Sequence, residues 1–215
     1  MSMLSLRRRR AAQKGFNLIE AAIVLGIVGL VVGGIWVAAT SVYANLRSKT
    51  ATDQLLKIAQ GVRNLYATSA NMANAAVDVT QDMARANVLP GNTLTTTATA
   101  STSANTVNPW NGNIGVLGAT AAGAGAAANA TAFAVVFSGI PSAACVDFLM
   151  RNAGSSRDTG LNTIVHGASA TPSTMPGTAI ALTAGAAISL ANAQTACDSA
   201  GNTVRSLGFV FSLRG

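Results

Sequence analysis

Residues 7–39 read "RRRRAAQKGFNLIEAAIVLGIVGLVVGGIWVAA". Arg7, Arg8, Arg9, Arg10 and Lys14 precede an apolar run whose one acid, Glu20, sits close to its mouth. From Ala21 to Ala39 there are 19 residues without a charge, and about 20 residues of helix span a hydrocarbon core. The segment is long enough to cross a bilayer. Its basic flank would stay on the cytoplasmic side during insertion.

A cleavable secretory signal has a shorter apolar core followed by a small-residue site. Here Ala38, Ala39 and Thr40 come nearest to one, yet residues 41–69, "SVYANLRSKTATDQLLKIAQGVRNLYATS", continue as helix. Leu55, Ile58, Ala59, Val62, Leu65 and Tyr66 recur at three- and four-residue spacing, and Arg47, Lys49, Lys57 and Arg63 can face elsewhere. The pattern predicts one helix from Phe16 to about Thr68, roughly 80 Å long at ~1.5 Å per residue. Residues 16–44 are apolar all round and suit a membrane. Residues 45–70 are amphipathic and should dock on a globular head formed by residues 71–215. Within the apolar half, Gly26, Gly29, Gly33 and Gly34 have two readings. Glycine is common in membrane helices; Gly29-x-x-x-Gly33 also permits close helix approach, and the cluster weakens the helix enough to bend.

The composition of the 215 residues narrows the function classes. The formal charge is +7, but five of the 14 basic residues precede the apolar run and the rest of the chain is close to balance. A nucleic-acid binder keeps its basic patch on the folded domain, so direct nucleic-acid binding is not expected. Half of the residues are hydrophobic but only 5% are aromatic; much of the apolar content is alanine, and Gly, Thr, Ser and Asn dominate the remainder. That balance suits exposed extracellular surfaces. Cys145 and Cys197 both lie in the C-terminal third. In an exported chain they read as one intramolecular disulfide, the alternative being two buried thiols. With no CxxC and no Cys/His cluster, no metal site and no cofactor are expected.

Basic residues, then "KGFNLIE" at 14–20, then an apolar helix: this order resembles the class III signal of type IV prepilins and the related pseudopilins. In that family a Gly precedes the cleavage point and a Glu lies five residues beyond it. Lys14 and Gly15 match the end of the leader, Phe16 the first mature residue and Glu20 the glutamate; Asn17 stands where Thr is commoner. The resemblance implies that residues 1–15 are a leader, cut between Gly15 and Phe16 by a membrane prepilin peptidase, with methylation of the new Phe16 amine. The apolar helix then stays on the mature chain, first as a single-pass inner-membrane anchor and later as the polymerisation helix of a homopolymeric filament outside the cell. An inner-membrane assembly platform and an ATPase motor are the further partners it implies. Glu20 acquires a chemical reason: a carboxylate in lipid needs a partner, and in the family it pairs with the N-terminal amine of a neighbouring subunit. The alternative is that Glu20 complements its own helix N-terminus.

In the head, residues 71–92, "NMANAAVDVTQDMARANVLPGN", read as a short helix ending before Pro90. The Thr- and Ser-rich 93–109, "TLTTTATASTSANTVNP", read as an exposed connection. Strand candidates follow: "NIGVLGA", "AFAVVFSGI", "NTIVHGA", "AIALT" and "RSLGFVFSLR". Phe133, Val135, Phe137 and Leu207, Phe209, Phe211 alternate as half-buried antiparallel strands should. Pro141 opens a short helix, "PSAACVDFLMRNA", with Cys145 early on it. The expected fold is α+β, a long N-terminal helix packed on an antiparallel sheet. The order "NPWNGNIGV", strand, "IPSAACVDFL" resembles the head of type IVb pilins, in which a disulfide encloses a variable C-terminal region that decorates the filament. Such a loop has about 50 residues and contributes about 4 kcal/mol by chain entropy.

Enzymatic chemistry finds little to work with. His166 is the one histidine and reads as structural or surface. No G-x-S-x-G elbow occurs. Asp78 and Asp82, at i and i+4, read as a solvated helix face, and Trp36 and Trp110 as packing residues. Three functions stay in view: a major pilin, a minor pilin or tip adhesin, and a type II secretion pseudopilin. Major pseudopilins commonly carry a calcium site in a C-terminal loop, whereas the last 20 residues here hold only Asp198 as an acid. The filament's use in adhesion, conjugation or another contact is set by partners encoded elsewhere.

Overall fold

Helix α1 covers Leu18–Leu65 and begins on Asn17, whose side-chain oxygen accepts a hydrogen bond from the Ile19 N–H at 3.3 Å while its carbonyl accepts one from the Ala21 N–H at 3.1 Å. An Asn at this position satisfies donors that the helix itself cannot. The structure, a computed structural model, describes residues 17–72, 77–96, 105–121, 130–168, 171–183, 186–198 and 204–214. By its contacts the chain divides into two units, Met1–Tyr43 and Ala44–Gly215.

In the second unit the α1 stripe of Ala51, Leu55, Ile58, Ala59 and Val62 is buried. Lys49 and Lys57 face solvent. Three expectations for this stretch need correction. Leu65 is 47% exposed, because the helix ends there and the chain turns away through 66–68. Arg63 is drawn inward by an acidic partner, Asp158, that lies 95 residues further along the chain. The helix also ends earlier than the expected Thr68.

The head elements are α2 (Thr80–Arg85), a 3-10 turn over Gly91–Thr93, β1 (Ile114–Ala119), β2 (Ala132–Pro141), α3 (Ser142–Asn152), β3 (Leu161–Ala168), β4 (Thr178–Ala181), α4 (Leu190–Cys197) and β5 (Val204–Ser212). α2 is shorter than the pattern predicts. Asp78 precedes it rather than riding on its face, and the Asp78 carboxylate accepts from both the N–H and the hydroxyl of Thr80. At its other end Asn87 takes the left-handed conformation, φ 55°. The Val88 N–H then returns to the Met83 carbonyl at 2.9 Å and the Asn87 N–H to that of Ala84 at 3.1 Å, the pairing that closes a helix C-terminus. The strand and helix pattern predicts no helix where α4 lies. Ser189 before "LANAQTAC" is its signal: the Ser189 hydroxyl accepts from the Asn192 N–H at 3.1 Å.

All five strands lie in one antiparallel sheet of order β1-β2-β5-β3-β4. The alternation read in the sequence holds. Phe133, Val135, Phe137, Leu207, Phe209 and Phe211 face α1, α3 and α4 in the main core, and Ala132, Ala134, Val136 and Val210 face the other way. The sheet is not half-buried, however, for that second face is buried as well. Its cover includes residues 171–177. The Pro172 carbonyl lies so close to Gly115 of β1 that a Cβ there would stand 1.9 Å from its oxygen, and Pro176 lies over Gly167 and Gly208. Gly115 and Gly208 occupy one row across the sheet, Gly115↔Val136↔Gly208↔Val165. Glycines in that row leave a trough into which the proline-flanked strap settles.

Phe148 of α3 sits at the centre of the main core. Its ring meets those of Trp110, Phe137 and Phe209 edge-on at 5.2, 5.3 and 5.2 Å. Such pairs add about 1 kcal/mol each to the burial of the rings themselves.

Candidate functional site: the apolar helix and the disulfide-closed face

In the first unit, every large apolar side chain of α1 from Leu18 to Tyr43 is at least half exposed. A fully buried side chain of this size gains about 1.5–3 kcal/mol over an exposed one. The described residues leave this all-round apolar surface uncovered, and by length and composition the helix is long and apolar enough to cross a membrane. Glu20 lies in its first turn and is exposed. There its charge complements the positive end of the helix dipole, an interaction of about 0.3–1 kcal/mol. Gly15 and Phe16, the residues of the expected cut and methylation, lie outside the described residues.

At Gly26, Gly29, Gly33 and Gly34 an added Cβ would meet nothing within 4 Å. Among the described residues no packing accounts for the missing side chains. At about 100° per residue, Gly26, Gly29 and Gly33 fall within a 60° arc and Gly34 stands about 100° from Gly33. Trp36, expected to pack, is 73% exposed.

The second feature, in the head, is the disulfide. Cys145 on α3 and Cys197 at the end of α4 are bonded, their Cα atoms 5.7 Å apart and 52 residues apart in sequence. It joins two helices that pack side by side on one face of the sheet. Within the enclosed region the Arg157 guanidinium donates to the carbonyls of Thr183 and Ala186, and the Ile188 N–H donates to the Ala153 carbonyl at 2.9 Å.

The two head motifs meet in space. Asn108 of "NPWNGN" is buried, and its amide is fully used. Oδ1 accepts from the N–H groups of Trp110 and Gly112 at 2.9 and 3.0 Å; Nδ2 donates to the carbonyls of Ser138 and Asn113 at 2.7 and 3.3 Å. The turn passes so near β2 that a Cβ on Gly112 would stand 1.8 Å from the Ser138 carbonyl oxygen. Trp110 is thereby laid on Phe148, one turn from Cys145. Thr93, Thr106 and Asn108 are all buried, so the ends of the Thr-rich stretch are not the exposed connection expected. Thr106 explains why: its hydroxyl bonds both the carbonyl and the N–H of Ile114 on β1. Residues 97–104 lie outside the described residues.

Among the described residues no cluster of three His, Cys, Asp or Glu side chains could hold a metal. An open groove of about 420 Å³ lined by Lys57, Gln60, Asn64, Leu65 and Asn87 brings in no titratable side chain but Lys57.

The bundlin family model matches residues 40–211. No curated protein matches the chain. Among solved structures it is similar to TcpA, a type IV pilin from Vibrio cholerae El Tor biotype, with 15% identity, a TM-score of 0.48 and coverage of 78% of this chain and 99% of that one. It is also similar to the type IV b pilin from Salmonella typhi, with 19% identity, a TM-score of 0.48 and coverage of 75% and 97%.

Proposed function

The chain belongs to the bundlin family of type IV pilins, and from that premise we propose that it is the major subunit of a surface pilus, made as an inner-membrane precursor and polymerised through α1. The observation that carries this reading is the helix of the first unit, whose large apolar side chains are all left outside its own fold. Lipid covers that surface in the precursor; the same helix of neighbouring subunits covers it in the filament. Gly15 and Phe16 supply the cleavage point, the Phe16 amine is methylated, and Glu20 meets such an amine from the next subunit. The glycines at 26, 29, 33 and 34 let the helices approach closely or flex. Prepilin peptidase, assembly platform and motor ATPase act on the chain in turn. The disulfide-closed face is what the filament displays, for adhesion, conjugation or a related contact. Electron microscopy of sheared surface filaments, with mass spectrometry of their principal protein, tests the proposal. The expected result is this chain as the principal component, beginning at Phe16. Filaments made mainly of another protein would make this chain a minor subunit.

A further inference from the structure

Two basic side chains lie side by side beneath the end of α4. In the β3–β5 ladder His166 pairs with Leu207 and Ala168 with Arg205. His166 and Arg205 are therefore diagonal neighbours on one face of the sheet, within reach of each other's long side chains. Ile164 and Leu207 place that face in the main core. Both side chains are buried, His166 at 9% and Arg205 at 7% exposure. Arg205 Nε donates to the Cys197 carbonyl at 3.4 Å, and its terminal nitrogen donates to the Asp198 carbonyl. A cation thus holds the C-terminal end of α4, at the residue that carries the disulfide.

Among the described residues, few charged groups lie around His166. β5 brings Arg205. β4 sets Thr178 opposite and has no titratable residue in Thr178–Ala181. α4 has none over Leu190–Cys197, since Cys197 is bonded to Cys145. Beyond it Asp198 is exposed and serves Arg205 with its carbonyl. On α3, Asp147 and Arg151 pair with each other at the surface. A neutral imidazole fits this site. A protonated one would set a second cation against Arg205 in a poorly solvated place, and burial together with Arg205 holds the His166 pKa below its ordinary value.

We propose that His166 is an acid-operated release for the disulfide-closed face: its protonation drives the Arg205 guanidinium off the Cys197 and Asp198 carbonyls and lets the end of α4 open. The linkage has a definite sign. The folded form disfavours the proton, so its stability is complete above the unfolded value of about 6.5 and is lost as pH falls through the lower, folded value. The sole histidine gives an unambiguous probe, its imidazole C–H resonance in the full chain held in detergent micelles. A titration midpoint below about 6.5 is expected; a midpoint at or above that overturns the proposal. The second measurement is reduction of the buried Cys145–Cys197 bond by a phosphine at pH 7.5 and pH 5. The wild-type rate should rise more on acidification than that of His166→Gln, since only the wild type carries a group that titrates there. Equal pH dependence in the two proteins would overturn it.

Discussion

Arg63 of α1 grips the Asp158 carboxylate with two hydrogen bonds of 2.8 Å, one from each terminal nitrogen. Its Nε donates to the Ser212 carbonyl at 3.2 Å, and its guanidinium carbon lies 5.5 Å from the centre of the Phe211 ring. One side chain thus ties the helix to the turn before β3 and to the end of β5. The two side chains are about one-fifth exposed, 20% and 21%, so the pair is shielded and bidentate, unlike the freely solvated ion pairs that contribute little.

Asp158→Asn should therefore destabilise the head by about 2 kcal/mol, the scale for hydrogen bonds to charged groups. The hydrogen bonds from Arg63 hold the Asp158 carboxyl below the ordinary carboxylate range, against the opposing effect of its burial. A depressed carboxylate stabilises the fold above its unfolded value of about 3.9, and that contribution is lost as pH falls through the lower, folded value. Thermal unfolding from pH 6 to pH 2 should show a stability difference between wild type and Asp158→Asn that shrinks below about pH 4. A constant difference would remove the ion pair from the account.

Replacing Cys145 and Cys197 together by alanine should lower the unfolding free energy by about 4 kcal/mol, from chain entropy in a loop of this length. The loss should appear in denaturant titration of the head without a change in helix content at zero denaturant, because α3 and α4 keep their apolar contacts, Phe148 and Leu149 on one and Ala193 and Ala196 on the other. A loss under 1 kcal/mol, far below that chain-entropy value, would show that packing alone holds the enclosed region.

Local pattern carried a good deal of this fold. Strands β2 and β5 were readable because Phe133-x-Val135-x-Phe137 and Leu207-x-Phe209-x-Phe211 have period two, and the α1 stripe because Leu55, Ile58, Ala59 and Val62 have helical period. What stayed hidden depends on residues brought together by the tertiary fold. Arg63 looked like a solvent-facing base until Asp158 arrived from 95 residues away. The second buried face of the sheet needs Pro172 and Pro176 to cross Gly115 and Gly208, and nothing in either segment's own period announces the crossing. His166 and Arg205 become neighbours only through the β3–β5 register. Asp78 and Asp82 failed for a smaller reason: an Asp two residues before a Thr prefers to bond that Thr backbone, which starts the helix after it. In the apolar helix the residue types spoke for themselves, because a run of 19 uncharged residues leaves little choice of surroundings.

Gly15→Val should leave the leader attached. A branched side chain at the residue before the cut restricts the backbone there, whereas glycine lets an extended chain approach a peptidase closely. Immunoblots of membrane fractions should show the precursor alone, longer than the mature chain by the 15 residues of the leader, and no surface filaments. Processing at the wild-type rate would displace the cut from Gly15.

Glu20→Ala separates two roles for the same carboxylate. If Glu20 served its own helix terminus, its removal would cost about 0.3–1 kcal/mol of helix stability, and filaments would still form. If it meets the Phe16 amine of a neighbouring subunit, removal leaves an unpaired ammonium in an apolar surround, which costs several kcal/mol. Each added subunit would repeat that cost, so filament yield should fall at least about a hundredfold, the factor for some 3 kcal/mol. Cleavage should continue, since the Lys14-Gly15-Phe16 sequence is untouched. Glu20→Gln, which keeps the shape and can accept a hydrogen bond but cannot neutralise the amine, should fail as well. Filament yield by shearing, set against mature subunit in the membrane, reads both variants at once. Abundant normal filaments from Glu20→Ala would assign the carboxylate to its own helix.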